Sequence, residues 1–218
     1  MTAPHPALGR PQRIVIEGRY ARLEPIGSQH LDDLWAASHD ADGAERYRWL
    51  FDAAPKSRAE LAGWINMAAA KDDPLCFAVV DKATGQAEGR QSLMRIVPND
   101  GVIEIGGVFW GPRLAKTRLA TEALYLHARY AFETLGNRRL EWKTNNRNEA
   151  SKRAAQRFGF TFEGVFRQHM IVKGENRDTA WFSMLDSEWP GRKAGIEAWL
   201  DPSNFDTEGR QKTKLTFA

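Results

Sequence analysis

The stretch "VIEIGGVFWGPRLAKTRLATEALYL" (Val102–Leu126) changes character twice within a single run. Its first nine residues alternate and are rich in β-branched and aromatic side chains, which predicts a strand. The Gly111-Pro112 pair breaks it. From about Thr117 apolar residues recur at helical spacing as far as Leu135, and Gly136 supplies the glycine that ends a helix. Three basic residues, Arg113, Lys116 and Arg118, crowd the helix start. A helix N-terminus exposes unpaired backbone N–H groups and the positive end of a dipole, so cations there are mildly unfavourable unless an anion lies among them. The stretch reads as strand, anion-binding turn and helix. Its plainer alternative is a solvated helix start.

Working outward, "RIVIEG" and "YARLEPI" read as two short strands or one bent strand around Gly18. Ser28 is placed to cap a helix through "SQHLDDLWAAS". Residues 39–56 mix acids and aromatics without a steady period and read as a loop with a short helical turn. Ser57 and Glu60 form a capping-box pattern ahead of "LAGWINMAAA". Two strands follow, residues 75–81 and "EGRQSLMRIV", joined by the turn "KATGQ". Beyond the long helix come the strand "RRLEWKTN", the helix "NEASKRAAQRF" stopped by Gly159, and a hairpin turning at "KGEN". "GRKAGIEAWL" is a final helix. A strand–helix–strand crossover after an antiparallel meander predicts a mixed sheet in an α/β (α+β) fold.

Composition narrows the function classes. The 218 residues are 42% hydrophobic and 27% charged, which suits a folded domain with a sizeable core. The net charge of +3 fits an anionic ligand, and the basic residues are scattered, which argues against a dedicated nucleic-acid binder. One cysteine, Cys76, allows no internal disulfide and fits a reducing compartment. It lies in the apolar run "LCFAVV" and reads as a small core residue. No run is apolar and long enough to span a membrane, and "MTAPHPALGRPQR" lacks a signal-peptide core, so a cytoplasmic location is expected. The five histidines have no metal-ligand spacing, and no metal is expected.

Four segments in this order resemble the GNAT N-acetyltransferases, and within them the Rim-type ribosomal-protein N-acetyltransferases. They are "EIGGVFW", "LATEAL", "NEASKRAAQRFGFTFEGVFR" and "RDTAWFSMLDSEW". The resemblance implies a mostly antiparallel central sheet flanked by helices, with two central strands splayed so that acetyl-CoA wedges between them. It implies a GNAT domain over residues 13–189, which leaves residues 1–12 reading as a disordered leader and 190–218 as a C-terminal helix and tail. It places the coenzyme pyrophosphate on the backbone of Ala115, Lys116, Thr117, Arg118, Leu119 and Ala120, with Arg113, Lys116 or Arg118 adding charge. The backbone of Gly107, Val108 and Phe109 would face the pantetheine arm, the glycine pair marking a bulge. The family pattern in this loop is Gln or Arg, two residues, Gly, one residue, then Gly or Ala. Aligned through "ATEA", the leading position is Ala115 and the central glycine is Arg118.

Acetyl transfer to an amine needs a proton acceptor for the amine and a proton donor for the leaving thiolate. Strand alternation puts Val102, Glu104, Gly106, Val108 and Trp110 on one face, where a carboxylate among Val and Trp is out of place unless it meets solvent or substrate. The resemblance makes Glu104 the base, acting through water; an ordinary exposed glutamate is the alternative. The tyrosine that many GNAT enzymes use as acid falls at Ala155 here. The Rim-type pattern instead offers Asn148 to the coenzyme and Ser151 near its sulfur. A solvated helix residue explains Ser151 equally well, whereas Asn148 could cap the helix and bind the coenzyme together. In the 39–56 loop, Tyr47, Trp49 and Phe51 would border the acceptor, with Asp40, Asp42 and Glu45 drawing a cationic amine. The expected function is acetyl-CoA-dependent acetylation of a primary amine, either a protein N-terminus or a small molecule. A homodimer is left open. A coenzyme- or anion-binding module that has lost turnover is the rival reading.

Overall fold

The computed structural model describes residues 4–39 and 42–217. Two short strands open the fold, β1 (Ile16–Glu17) and β2 (Ala21–Pro25). Three helices follow: α1 (Leu31–Ser38), α2 (Gly43–Arg46) and α3 (Arg58–Ala69). Then come β3 (Leu75–Asp81), β4 (Ala87–Val97), β5 (Val102–Trp110) and α4 (Arg118–Arg129). The chain closes with β6 (Arg139–Asn145), α5 (Glu149–Arg157), β7 (Thr161–Val172), β8 (Glu175–Leu185) and α6 (Trp189–Leu200). The sheet has eight strands in the order β1-β2-β3-β4-β5-β6-β8-β7. The pairs β1/β2, β2/β3, β3/β4, β6/β8 and β7/β8 are antiparallel. This is the mixed, mostly antiparallel sheet with flanking helices that the element order predicts.

Two compact units make up the chain. One holds Pro11–Arg95 and Ile105–His127. In it, β3 turns Cys76, Ala78 and Val80 toward α1 and α3, where Leu34, Leu61 and Ile65 complete a dry cluster. Burial in this cluster pushes the Cys76 thiol up, which leaves it an inert core residue as expected. The opposite face of β3 carries Phe77, whose ring meets His127 of α4 edge-on. The other unit holds Met1–Arg10, Ile96–Glu104 and Ala128–Ala218. There Trp142 on β6 packs against Phe158 and Phe160, and Phe132 stacks on Trp189. In the N-terminal segment, Ala7 and Leu8 donate backbone hydrogen bonds to the carbonyls of Pro98 and Leu135.

Local chemistry explains where the elements begin. Ser57 accepts from the N–H of Glu60 and caps α3. The reciprocal bond of a capping box falls one residue early: Glu60 accepts from the N–H of Lys56. Ser28 does not cap α1, because a 3-10 turn over Ser28–His30 precedes that helix and Ser28 lies inside the turn. The long helix changes pitch, α4 giving way to a π-helical turn over Tyr130–Thr134 before Gly136. Asp40 lies outside the described residues. Among the described residues, no helix is long and apolar enough to cross a membrane.

Candidate active site

The turn after β5 is built from its own carbonyls. Leu114 is fully buried and anchors it. The N–H groups of Leu114 and Ala115 both bond the carbonyl of Gly111. Thr117 is the helix cap: its hydroxyl donates to the carbonyl of Leu114 at 2.7 Å and accepts from the N–H of Leu119 at 3.2 Å. Lys116 takes a positive φ of 64° and is exposed. The left-handed residue of this turn is therefore Lys116, two positions before the one aligned with the family glycine. Arg118 opens α4 in helical conformation, which removes the need for glycine there. Its guanidinium lies 4.4 Å from the centre of the Tyr20 ring. Arg113 is drawn to β4, where its Nε donates to the buried carboxylate of Glu88 at 2.7 Å. Among the described residues, Lys116 has no such ion-pair or aromatic partner, unlike Arg113 and Arg118. Ala120 is buried in the first turn of the helix.

Just before this turn, Gly107 has φ 59°, and a Cβ there would stand 3.3 Å from Ser92 Oγ. Ile103, Glu104 and Ile105 are all buried, Glu104 being the one residue of its face that is, so this part of the strand has no solvated face. Phe109 is buried against Tyr47, whose ring centre is 4.8 Å away, and the Tyr47 hydroxyl lies 3.2 Å from Ser38 Oγ. Val108 is half-buried. Trp49 lies under the guanidinium of Arg48, and Phe51 is exposed.

Sequence reasoning passes over Arg90. It is 4% exposed, in the middle of β4. Its guanidinium donates to Asp52 at 2.5 Å and to the carbonyl of Gly107 at 3.2 Å, and it stacks over Trp64 at 3.9 Å. One buried cation thus joins the loop that carries Tyr47, Trp49 and Phe51 to the left-handed glycine of β5. The available signal was slight: Arg90 sits in the polar run "EGRQS" of a strand, which alone reads as a solvated face.

In the other unit, Glu104 is 5% exposed and ion-paired to Lys143 Nζ at 2.9 Å. Lys143 also meets Glu141 at 2.6 Å and lies 3.9 Å from the centre of the Trp181 ring. Glu141 and Lys143 are two apart on β6 and share a face, and Lys143 pairs with Trp181 of β8 in the same register. Beyond Trp181 the rings of Phe166 and His169 lie at 4.6 Å and 6.0 Å. Trp142 points to the opposite face of β6, where its indole N–H donates to Ser151 Oγ at 3.0 Å. Asn148 caps α5, its side chain accepting from the N–H of Ser151 at 3.1 Å. Asn148 and Ser151 are thus brought together at one helix start. Glu104 is brought to Lys143 and Glu141, on the other face of the strand. Among the described residues, no cluster of His, Cys, Asp or Glu could hold a metal ion.

A family model described as an acetyltransferase (GNAT) domain matches residues 21–161. A GCN5-related N-acetyltransferase from Brucella melitensis superposes with a TM-score of 0.94 at 55% identity, covering 97% of this chain and 96% of that one. A GNAT-family protein from Chromobacterium violaceum gives 0.79 at 38% identity, over 87% and 95% of the two chains. The Bacillus subtilis protein named "Putative ribosomal N-acetyltransferase YdaF" is 38% identical over 64 residues, which are 29% of this chain and 35% of that protein, so the match spans about a third of that relative. The fold, the turn and capped helix after β5, and these similarities converge: the chain belongs to the GNAT acetyltransferase family.

Proposed function

We propose that this protein transfers an acetyl group from acetyl-CoA to a primary amine, by direct attack of the amine. The observation that carries the reading is Glu104, a buried carboxylate three residues before the left-handed glycine of the same strand. A buried carboxylate is costly to keep unless it has a partner or a task. Its ion pair meets the first condition, and proton acceptance from the amine is the task proposed.

Acetyl-CoA supplies the activated acetyl group and a thiolate leaving group. The turn of residues 111–117 has the features its pyrophosphate needs: a left-handed backbone at Lys116, an exposed ammonium on that residue, and the first turn of α4 behind it. The backbone of Gly107, Val108 and Phe109 would line the pantetheine arm, and the Asn148 side chain would hold the coenzyme while capping α5. Glu104 takes the proton of the acceptor amine, directly or through a water. Ser151 returns one to the thiolate. Its oxygen already accepts from the Trp142 indole, so its own O–H hydrogen is left to donate elsewhere. Tyr47 supports Phe109 from within, while Trp49 and Phe51 are the loop residues available to an acceptor.

The acceptor is a protein α-amine or a small-molecule amine. An α-amine titrates near ~8 and a lysine near ~10.4, so a single carboxylate base suits the former better. Release of coenzyme thiol on mixing with acetyl-CoA and a panel of N-terminal peptides and small amines tests the reading. Glu104→Gln should lower turnover most at low pH, where the amine most needs a base. Turnover unchanged at every pH would remove Glu104 from the role.

One observation favours the rival of a binding module without turnover. Arg113 and Arg118 are committed to Glu88 and Tyr20, which leaves fewer cations for a pyrophosphate than the sequence suggests. Calorimetric titration with acetyl-CoA separates the two. Binding without acetylation of any amine would favour the module.

A further inference from the structure

The partners of Glu104 form an ordered row of alternating charge. Lys143 stands between Glu104 and Glu141, at 2.9 Å and 2.6 Å. Glu141 in turn accepts from Arg139 Nε at 2.8 Å. Arg139 then grips Glu163 of β7 with two parallel bonds of 2.7 Å and 2.5 Å, and Ser183 of β8 donates to the same carboxylate. The row runs from a buried end at Glu104 to an exposed end at Glu163. The paired bonds from Arg139 hold the Glu163 carboxyl below the usual range, so the far end stays charged. Lys143 is fixed within the row, because its ammonium is buried and lies over the face of Trp181.

We propose that Lys143 is a positioning residue, which divides its charge between Glu104 and Glu141 and so sets the charge state in which Glu104 meets the acceptor amine. The inference rests on the reading of Glu104 as the base. Two carboxylates share one ammonium, so each holds part of it. Removing the ammonium would leave Glu104 buried beside another carboxylate. Removing the charge of Glu141 would give Glu104 the whole of it. Among the described residues, the other charged or titratable groups on this side of the strands include Arg139 on β6, Glu163 and His169 on β7, and Glu175 and Arg177 on β8, which the strand alternation places with Trp181. None of them stands between Lys143 and Glu104.

The test uses the full chain, acetyl-CoA and one acceptor amine, with kcat/KM followed against pH. The acceptor is common to all variants, so its own ionisation cancels in the comparison. Lys143→Met should move the acidic limb of the profile up by about one pH unit or more, and Glu141→Gln should move it down. Lys143→Arg, which keeps the charge, should restore most of the wild-type profile. Opposite displacements are the signature, since a merely structural role lowers turnover without moving the limb in two directions. Limbs that stay put, or move the same way, in folded variants overturn the inference. If Lys143→Met does not fold, Glu141→Gln alone decides: an unmoved limb overturns it. Glu104→Gln run alongside distinguishes the two levels. Full turnover in that variant defeats the base reading itself, whereas loss of turnover there with unmoved limbs elsewhere defeats only the role of Lys143.

Discussion

The guanidinium of Arg90 donates to the carbonyl of Gly107 at 3.2 Å from a position 4% exposed to solvent. Glycine takes a left-handed φ without strain, but the part-buried carbonyl it carries still needs a donor. Arg90 supplies that donor, and its bond to Asp52 holds the 39–56 loop from the other side. Arg90→Met should leave Asp52 and the Gly107 carbonyl without their partner, costing about 3–5 kcal/mol of stability by urea denaturation. Arg90→Lys keeps the charge but loses the planar fork and the stack on Trp64, and should recover only part of that. A loss below about 1 kcal/mol in the Met variant would mean that the loop and strand hold themselves.

Glu122 is the acidic residue of "ATEA", and its carboxylate faces away from any chemistry proposed here. It accepts the N–H groups of Arg19 and Tyr20, in the turn between β1 and β2, and of Ala21, the first residue of β2, at 2.8, 2.6 and 2.6 Å. A Cβ at Gly18 would stand 2.7 Å from this carboxylate, so the glycine permits the approach. Glu122→Gln puts an amide NH₂ where an acceptor is needed. It should cost about 1–3 kcal/mol in the same denaturation assay. Gly18→Ala should destabilise through the same contact. Wild-type stability in both would show the anchor to be dispensable.

Ser151 and Trp142 share one hydrogen bond but should fail differently. Ser151→Ala removes the proposed donor to the thiolate and should lower kcat by about 10²-fold, general acid catalysis being worth about 10²–10⁴. Trp142→Phe removes only the indole donor and leaves the serine hydroxyl in place. It should lower the melting temperature and keep most of kcat. Equal losses of kcat in the two variants would assign Ser151 a purely structural place at the start of α5.

Period-two and helical patterns carried the fold, because burial of one face imposes them on the sequence. The strands, the long helix, its glycine stop and the caps at Ser57 and Asn148 were legible for that reason. The burial of Glu104 on an otherwise half-buried face of β5 was not, since the cation that makes it tolerable comes from Lys143 on another strand. Ion pairs were hidden for a related reason. Arg90 with Asp52, and Glu104 with Lys143, join residues 38 and 39 positions apart in the chain. Nothing local to any of these residues names its partner. The basic cluster before α4 was visible as charge, but Arg113 and Arg118 spend theirs on Glu88 and Tyr20, which only the packing reveals.

His127 carries a pH dependence whose origin can be traced atom by atom. The Trp110 indole can only donate, and it donates to Gln91 Oε1 at 3.2 Å, which fixes the orientation of the Gln91 amide. The amide NH₂ then donates to the carbonyl of Ala123 and to His127 Nδ1 at 3.1 Å. Nδ1 is thus the acceptor, the ring is neutral, and its proton sits on Nε2, which has no hydrogen-bond partner among the described residues. Burial pushes the imidazole from its ordinary 6.5 down to about 3. Above pH 6.5 neither the folded nor the unfolded state binds a proton at this ring, and its contribution to stability is fully present. Below that value the unfolded chain takes up a proton that the folded one refuses. Stability is therefore lost as pH falls from about 6.5 toward about 3, by up to about 1.4 kcal/mol per pH unit. His127→Gln keeps an acceptor for Gln91 and removes the titrating ring. Its unfolding free energy, measured between pH 7 and pH 4, should fall less steeply than that of the wild type, with the two curves converging as the pH drops. Parallel curves would mean that His127 is hydrated or already protonated in the folded protein.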